Sequence, residues 1–295
     1  MFTNEKNKYK IMGHITIGSI SSIFKVLNIS NSQFYALKFL SLKRYNNDKK
    51  YFQEIFENDI KIMKECKSKY IVELIDDFYD KMNEGYCIVM ELCDGNLRDI
   101  LNKYEPKGLP LNIINKIFIQ LNDALKAMRN KNYTHRDLKP DNILIKYLDK
   151  DKINFDIKLT DFDYSSNNIN SSIQTHSYCG TLIYMAPVIE TYHYNNKCDL
   201  WSLGVILYEL YTNKYIFYSN NKKEQDDNRY EGKITKETDN EMINKLIRKL
   251  IQVDIRKRIG WEEYFNDEFF KKNINEKEKI NDIEKLNKSK TKMKK

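Results

Sequence analysis

Runs rich in β-branched and aromatic residues occupy Ile15–Val26, Gln33–Leu40, Ile71–Tyr79 and Tyr86–Leu92. A charged amphipathic stretch, Tyr51–Cys66, lies between the second and third of them. Such runs predict strands, and apolar positions three and four apart predict a helix. The chain up to Leu92 therefore reads as a small sheet with one helix. Beyond Leu92 the period lengthens. Leu97–Lys103, Leu111–Asn130, Asp199–Thr212 and Asn240–Gln252 read as helices, interrupted by short strands around Ile143–Lys146 and Ile157–Thr160. This predicts a larger, mainly helical part and an α+β class. Asn-rich Ser165–Ser172 and polar Ser219–Tyr230 read as exposed loops.

Composition narrows the partners. With 41% hydrophobic and 13% aromatic residues the 295-residue chain has material for a packed core, which excludes wholesale disorder. Of the net charge of +8, six charges fall in Lys271–Lys295, where ten Lys face four acids, so the body is close to neutral. A nucleic-acid-binding body would carry its basic residues on the fold, and the tail is read as solvated rather than as an arm for nucleic acid or acidic membrane. Cys66, Cys87, Cys93, Cys179 and Cys198 are scattered without a C-x-x-C pair, which argues against a disulfide framework or zinc ribbon and for a reducing compartment. The longest apolar stretch, Leu200–Tyr211, is too short to span a bilayer and carries Glu209. No signal region, myristoyl acceptor or prenylation box is expected, so the expected location is intracellular, cytoplasmic with the nucleus open.

Function concentrates in His135-Arg136-Asp137-Leu138-Lys139-Pro140-Asp141-Asn142. A carboxylate, a Lys two residues on and an Asn five on can share one face of a loop pinned by Pro140. Asp137 could then orient a hydroxyl, Lys139 neutralise a transferring phosphate and Asn142 hold a divalent cation. The plain alternative is a turn-rich surface loop.

These residues resemble the catalytic loop H-R-D-L-x-x-x-N of the eukaryotic protein kinase superfamily. Asp161-Phe162-Asp163, twenty-four residues after Asp137, resembles the D-F-G turn with Asp for Gly. Cys179-Gly180-Thr181, Tyr184-Met185-Ala186-Pro187 and Asp199-Leu200-Trp201-Ser202-Leu203-Gly204 follow in the family's order. The resemblance covers residues 9–270 and implies the bilobal kinase fold, with an antiparallel N lobe over about 9–92 and a mainly helical C lobe over about 93–270. Lys139 followed by Pro140 resembles the serine/threonine branch.

At the nucleotide end, the resemblance puts Thr16, Gly18 and Ser21 at the three glycine positions of the phosphate loop. Tyr35-Ala36-Leu37-Lys38 resembles the strand whose Lys grips the α- and β-phosphates of ATP. Asp59 falls where the helix carries the partner Glu; it is one methylene shorter, and Glu57 is the other candidate. Ile88-Val89-Met90-Glu91-Leu92-Cys93 resembles the hinge. It implies Met90 as gatekeeper and backbone recognition of adenine at Glu91 and Cys93, with side-chain identity hardly mattering, and Ile23, Ala36 and Leu144 around the purine. Asn142 and Asp161 are implied as Mg²⁺ ligands, and Asp163 stands where the family's Gly takes unusual dihedrals. Met63, Leu74, His135 and Phe162 are implied as a packed stack, with Asp199 an anchor beneath the catalytic loop.

Ser177 is implied as a phosphorylation site paired by Arg136. The Glu expected after Ala186-Pro187 is missing; its partner Arg258 remains, and Glu190 is the candidate replacement. The Asp254–Trp261 region resembles calcium/calmodulin-regulated or autophagy-type kinases. The implied activity is transfer of the ATP γ-phosphoryl group to Ser or Thr hydroxyls of protein substrates. A pseudokinase or scaffold that binds nucleotide or partners is the alternative.

Overall fold

The N-terminal β-rich runs pair into one antiparallel sheet. The computed structural model describes residues 1–3, 8–18, 21–44, 49–165, 182–187 and 196–271. In it β1 (Phe2–Thr3), β2 (Lys8–Ile17), β3 (Ser22–Asn28), β4 (Gln33–Ser41), β5 (Leu74–Asp80) and β6 (Gly85–Glu91) lie in the order β1-β2-β3-β4-β6-β5. The run Ile15–Val26 is two strands, because Ile17 pairs with Ser22 and Thr16 with Ile23, so the chain reverses between Ile17 and Ser22.

Period-two alternation gives β4 two different faces. Tyr35 and Leu37 join Phe2, Tyr9, Phe24, Val26, Cys87 and Val89 in one buried cluster. Ala36, Lys38 and Leu40 point to the other side, where Leu40 packs with Phe52 and Ile55 of α1 (Lys49–Glu65). The helix buries Phe52, Ile55, Asp59 and Ile62, a stripe at helical spacing that carries one carboxylate into the interior. β1 precedes residue 9, where the family resemblance begins. Phe2 is buried, with its ring 5.4 Å from Phe24 and 4.9 Å from Phe39, and the Thr3 N–H donates to Asp80 Oδ2 at 3.0 Å.

A second sheet holds β7 (Gly95–Asn96), β8 (Ile143–Tyr147) and β9 (Phe155–Leu159) in that order. Val72 donates to the Leu159 carbonyl at 3.0 Å and Leu159 to that of Tyr70 at 2.8 Å, which ties β9 to the segment before β5. Two helices, α2 (Leu97–Lys103) and α3 (Leu111–Asn130), lie between β7 and β8 in chain order. Gln120 on α3 accepts from the Ile157 N–H at 2.8 Å and donates to Asp156 at 3.0 Å. By internal contacts the chain divides into Met1–Ile100 with Gln120–Leu182, and Leu101–Ile119 with Ile183–Lys295. The catalytic-loop pattern and the N-terminal sheet thus belong to one compact unit.

The second unit is built on α4 (Cys198–Thr212), apolar on nearly all sides and buried along most of its length, Asp199 included. It packs on α6 (Glu241–Leu250); a Cβ on Gly204 would lie 2.9 Å from Leu250 Cβ, so only glycine permits this approach. Ser219–Tyr230 is not a loop: α5 (Lys222–Glu231) forms there despite its polarity. Asn221 caps its first turn by accepting from the Lys223 and Glu224 N–H groups, and Gly232 at φ 66° ends it. A short α7 (Trp261–Phe265) follows. Arg258 donates to the carbonyls of Gln252 at 2.9 and 2.6 Å and of Lys197 at 2.9 Å, and lies 5.2 Å from the Trp201 ring centroid. Carbonyls and a ring, rather than a carboxylate, hold this guanidinium among the described residues, and burial lowers its pKa to about 10. Glu190 lies outside the described residues. Among them, no helix is long and apolar enough to cross a membrane.

Candidate active site

Pro140 starts a short 3₁₀ turn, Pro140–Asn142, with Lys139 extended before it. The turn brings Asn142 back onto Asp137. The Asn142 amide donates at 2.9 Å both to the Asp137 carbonyl and to its Oδ2, and Lys139 Nζ reaches the same Oδ2 at 2.7 Å. Asp137 Oδ1 is buried and accepts no hydrogen bond among the described residues. Burial raises the Asp137 pKa to about 6, against the lowering by Lys139. His135 is fully buried, its Nε2 is 3.1 Å from the Thr160 carbonyl and its ring is 5.4 Å from Phe162. Burial lowers its pKa to about 4, so it is neutral at pH 7 and packs in the core. Phe162 and Met63 are buried and Leu74 is half-buried. Arg136 is buried with φ 70°; Ser177, for which it was the expected partner, lies outside the described residues.

On the sheet side the centre is Lys38. Its ammonium donates to Asp59 Oδ2 at 2.8 Å, to Asp161 Oδ1 at 3.0 Å and to Asp163 Oδ1. The shorter Asp59 therefore reaches Lys38, while Glu57 instead accepts from Gln53 at 2.7 Å. The other Asp59 oxygen accepts from the Phe162 N–H at 2.8 Å, and neighbouring Asn58 donates to the carbonyls of Phe162 and Ser165, each at 2.8 Å. One turn of α1 thus fastens the segment 161–165 by three bonds. Within that segment the positive φ, 67°, belongs to Asp161 and not to Asp163. The cost of Asp at position 163 is consequently electrostatic and not a matter of dihedrals. Burial would lower the Lys38 pKa, but the three carboxylates outweigh it and raise it well above the usual lysine value. Burial also pushes both acids upward. For Asp161 the charge of Lys38 prevails and its pKa falls to about 2, whereas Asp163, facing Asp161 and Asp59, stays well above the carboxylate range.

A cavity of about 480 Å³ opens between these groups. Thr16, Gly18, Ser21, Ile23, Ala36, Met90, Glu91, Cys93 and Leu144 line it, together with Lys38, Asp59, Lys139, Asn142 and Asp161. Of the expected catalytic, nucleotide and metal residues, Asp137 is not in its wall. Ile15, Asn96 and Asp99 are, and the sequence reading missed them. Ile15 is the extra residue where the β2–β3 register shifts between His14 and Thr16, which interrupts the alternation. Asn96 and Asp99 cap the start of α2 reciprocally: Asn96 accepts from the Asp99 N–H at 3.0 Å and Asp99 from the Asn96 N–H at 2.9 Å. The hinge side chains do matter. Glu91 is buried, takes Lys158 at 2.6 Å and Lys146, and accepts the Glu73 N–H at 3.0 Å. These partners overcome burial and lower its pKa, while burial pushes the Cys93 thiol up to about 12.

The protein kinase domain family model matches residues 9–270. The chain belongs to the protein kinase domain family. Relatives include the serine/threonine-protein kinase atg1 of Dictyostelium discoideum, 29% identical over 88% of this chain and 38% of that protein. The serine/threonine-protein kinase ATG1 of Kluyveromyces lactis is 30% identical over 88% of this chain and 36% of its own length. Serine/threonine-protein kinase 33 of Bos taurus is 32% identical over 70% of this chain and 42% of its own. The kinase domain thus spans well under half the length of these relatives. Kinases of this family use ATP with Mg²⁺, and the antiparallel N-terminal sheet followed by a mainly helical region is the kinase fold. The cavity's hard oxygen donors suit that ion: the Asn142 amide engages Asp137 through its nitrogen, leaving its oxygen, and Asp161 stays ionised. Among the described residues no group of three or more His, Cys, Asp or Glu is arranged to hold a metal, so the rest of an Mg²⁺ shell would come from phosphate and water.

Proposed function

We propose that this chain is an active serine/threonine kinase that transfers the γ-phosphoryl group of ATP to Ser or Thr hydroxyls of protein substrates. The observation that carries the reading is Asp137: Lys139 and Asn142 fix one oxygen and leave the other, buried and unbonded among the described residues, to take a proton. In the reaction the acceptor oxygen bonds to the γ-phosphorus, the bond from that phosphorus to the β,γ-bridging oxygen breaks, and the hydroxyl proton passes to Asp137 Oδ1. Lys139 sits beside that oxygen pair to neutralise phosphate charge, and Lys38, held by Asp59, does so for the α- and β-phosphates. Asn142 and Asp161 would hold Mg²⁺, which supplies charge neutralisation across the phosphates when bound. Thr16, Gly18 and Ser21 would cover the phosphates, and Ile23, Ala36, Met90 and Leu144 would enclose the purine against the backbone of Glu91 and Cys93. Ser177 is proposed as a modification site read by Arg136.

The test is transfer of labelled γ-phosphate from Mg-ATP to a basic acceptor protein, beside Asp137→Asn. Turnover of roughly 1 to 100 per second on a good substrate, falling by about 10² to 10⁴ in the variant, is expected. Absence of transfer from folded protein, with Ser177→Glu also inactive, would replace this reading by the second one, a nucleotide-binding scaffold. That alternative is favoured by one observation, the third carboxylate on Lys38.

The domain is taken as 9–270, divided into lobes near residue 92; the Lys-rich tail over 271–295, expected to be solvated, lies outside the described residues beyond Lys271. Among the described residues Cys66, Cys87, Cys93 and Cys198 form no disulfide, and Cys179 lies outside them; cysteines scattered without a C-x-x-C pair support an intracellular, reducing location.

A further inference from the structure

An ammonium has three N–H donors, and in Lys38 each is engaged by a different aspartate, Asp59, Asp161 and Asp163. None is left for a phosphate. The three acceptors differ in what else holds them. Asp59 is fastened through its second oxygen to the Phe162 N–H at 2.8 Å, and Asp161 lines the cavity with its side chain 31% exposed. Asp163 is buried at 6% side-chain exposure and is not part of the cavity wall. It holds the Lys38 ammonium from a buried position outside the cavity wall.

We infer that Asp163 is a specificity-determining residue that withholds a Lys38 donor from nucleotide phosphates, so that phosphorylated nucleotides bind by exchange for Asp163 and gain little over the bare nucleoside. This rests on the reading of Lys38 as the phosphate-binding lysine. The chemistry is a competition between two oxygen acceptors, one from the chain and one from the ligand, for the same N–H. Relieving it strengthens binding of any ligand whose phosphates reach Lys38, and leaves a ligand without phosphates unchanged.

The experiment is calorimetric titration of the full chain with ADP and with adenosine, without divalent cations, for the wild type, Asp163→Gly and Asp163→Asn. A hydrogen bond to a charged group freed for the ligand should tighten ADP binding about 10-fold in Asp163→Gly, with adenosine within about twofold. Asp163→Asn preserves the buried shape and an acceptor oxygen, and should move ADP in the same direction by less. It also carries the test if the glycine variant does not fold. Equal changes for ADP and adenosine, or weaker ADP binding in either variant, would overturn the inference. Unchanged ADP binding in chains that do bind it would overturn it while leaving the nucleotide reading intact. Failure of the wild type and both variants to bind either ligand would remove both together.

Discussion

Two buried charge centres sit on paired strands of the same sheet and are near inversions of each other. On β4, one cation, Lys38, meets three carboxylates; on β6, one carboxylate, Glu91, meets two lysines and a backbone N–H. Both are almost wholly buried, and burial alone would neutralise either. Their surroundings differ. The acceptors around Lys38 outnumber its charge, and two of them line the cavity, so this centre can exchange partners and take up further cations. Glu91 has lysines that reach it from β8 and β9, Lys146 being 41% exposed, so the excess charge there is left to water. A buried ion whose surplus faces a cavity is equipped for ligands, and one whose surplus faces solvent holds strands together.

The largest effect should come from breaking the first centre. Lys38→Met leaves three aspartates without their cation. It should abolish measurable phosphoryl transfer and cost on the order of 3 to 5 kcal/mol in urea unfolding, less whatever protonation recovers. Breaking the second should separate stability from recognition. Glu91→Gln leaves Lys158 with a weaker partner and should cost about 1 to 3 kcal/mol, while the adenosine dissociation constant measured by calorimetry stays within about twofold.

Acid sharpens the contrast through His135, buried beneath Phe162 and belonging to neither centre. Its folded pKa of about 4 lies below the unfolded value near 6.5, so the native state binds fewer protons. Its contribution is fully present above the unfolded value and is lost as pH falls from there through the folded one. Between pH 7 and pH 5 this amounts to about 2 kcal/mol, and the wild type should lose that much more stability than His135→Phe over the same interval. The smallest expected change is Asp59→Glu. An added methylene cannot keep both the Lys38 bond and the Phe162 N–H bond without moving α1. A fall in kcat/KM of roughly tenfold is expected, corresponding to about 1.4 kcal/mol; a rise would show that the Lys38 pairing is limiting in the wild type.

The motif residues were legible because their order and spacing are fixed by the chemistry they serve: Lys139 and Asn142 converge on Asp137, and Lys139, Asn142 and Asp161 line the cavity. The pairing of Asp59 was harder. Counting methylenes treats the helix as immobile, whereas the stripe Phe52–Ile55–Asp59–Ile62 already places that carboxylate inward. The sequence displays Asp163 as a substitution but contains no sign that its carboxylate turns toward Lys38, since that depends on a long-range contact. Glu91 was passed over because hinge recognition is a backbone matter, although a glutamate on a strand of wholly buried residues requires partners. α5 was lost to its polarity, with Asn221 three residues before Glu224 and Gly232 at the end as the signals that would have found it.

Phe2 escaped notice because a strand of two residues has no period. It fills the sheet face opposite α1, and its neighbour Thr3 clasps Asp80 at the far edge strand. A recombinant chain trimmed to the family boundary at residue 9 would bare the rings of Phe24 and Phe39 to water and invite self-association. Preparations of this kinase domain should therefore retain the first residues, and a fusion partner is better attached through a linker that leaves Phe2 seated.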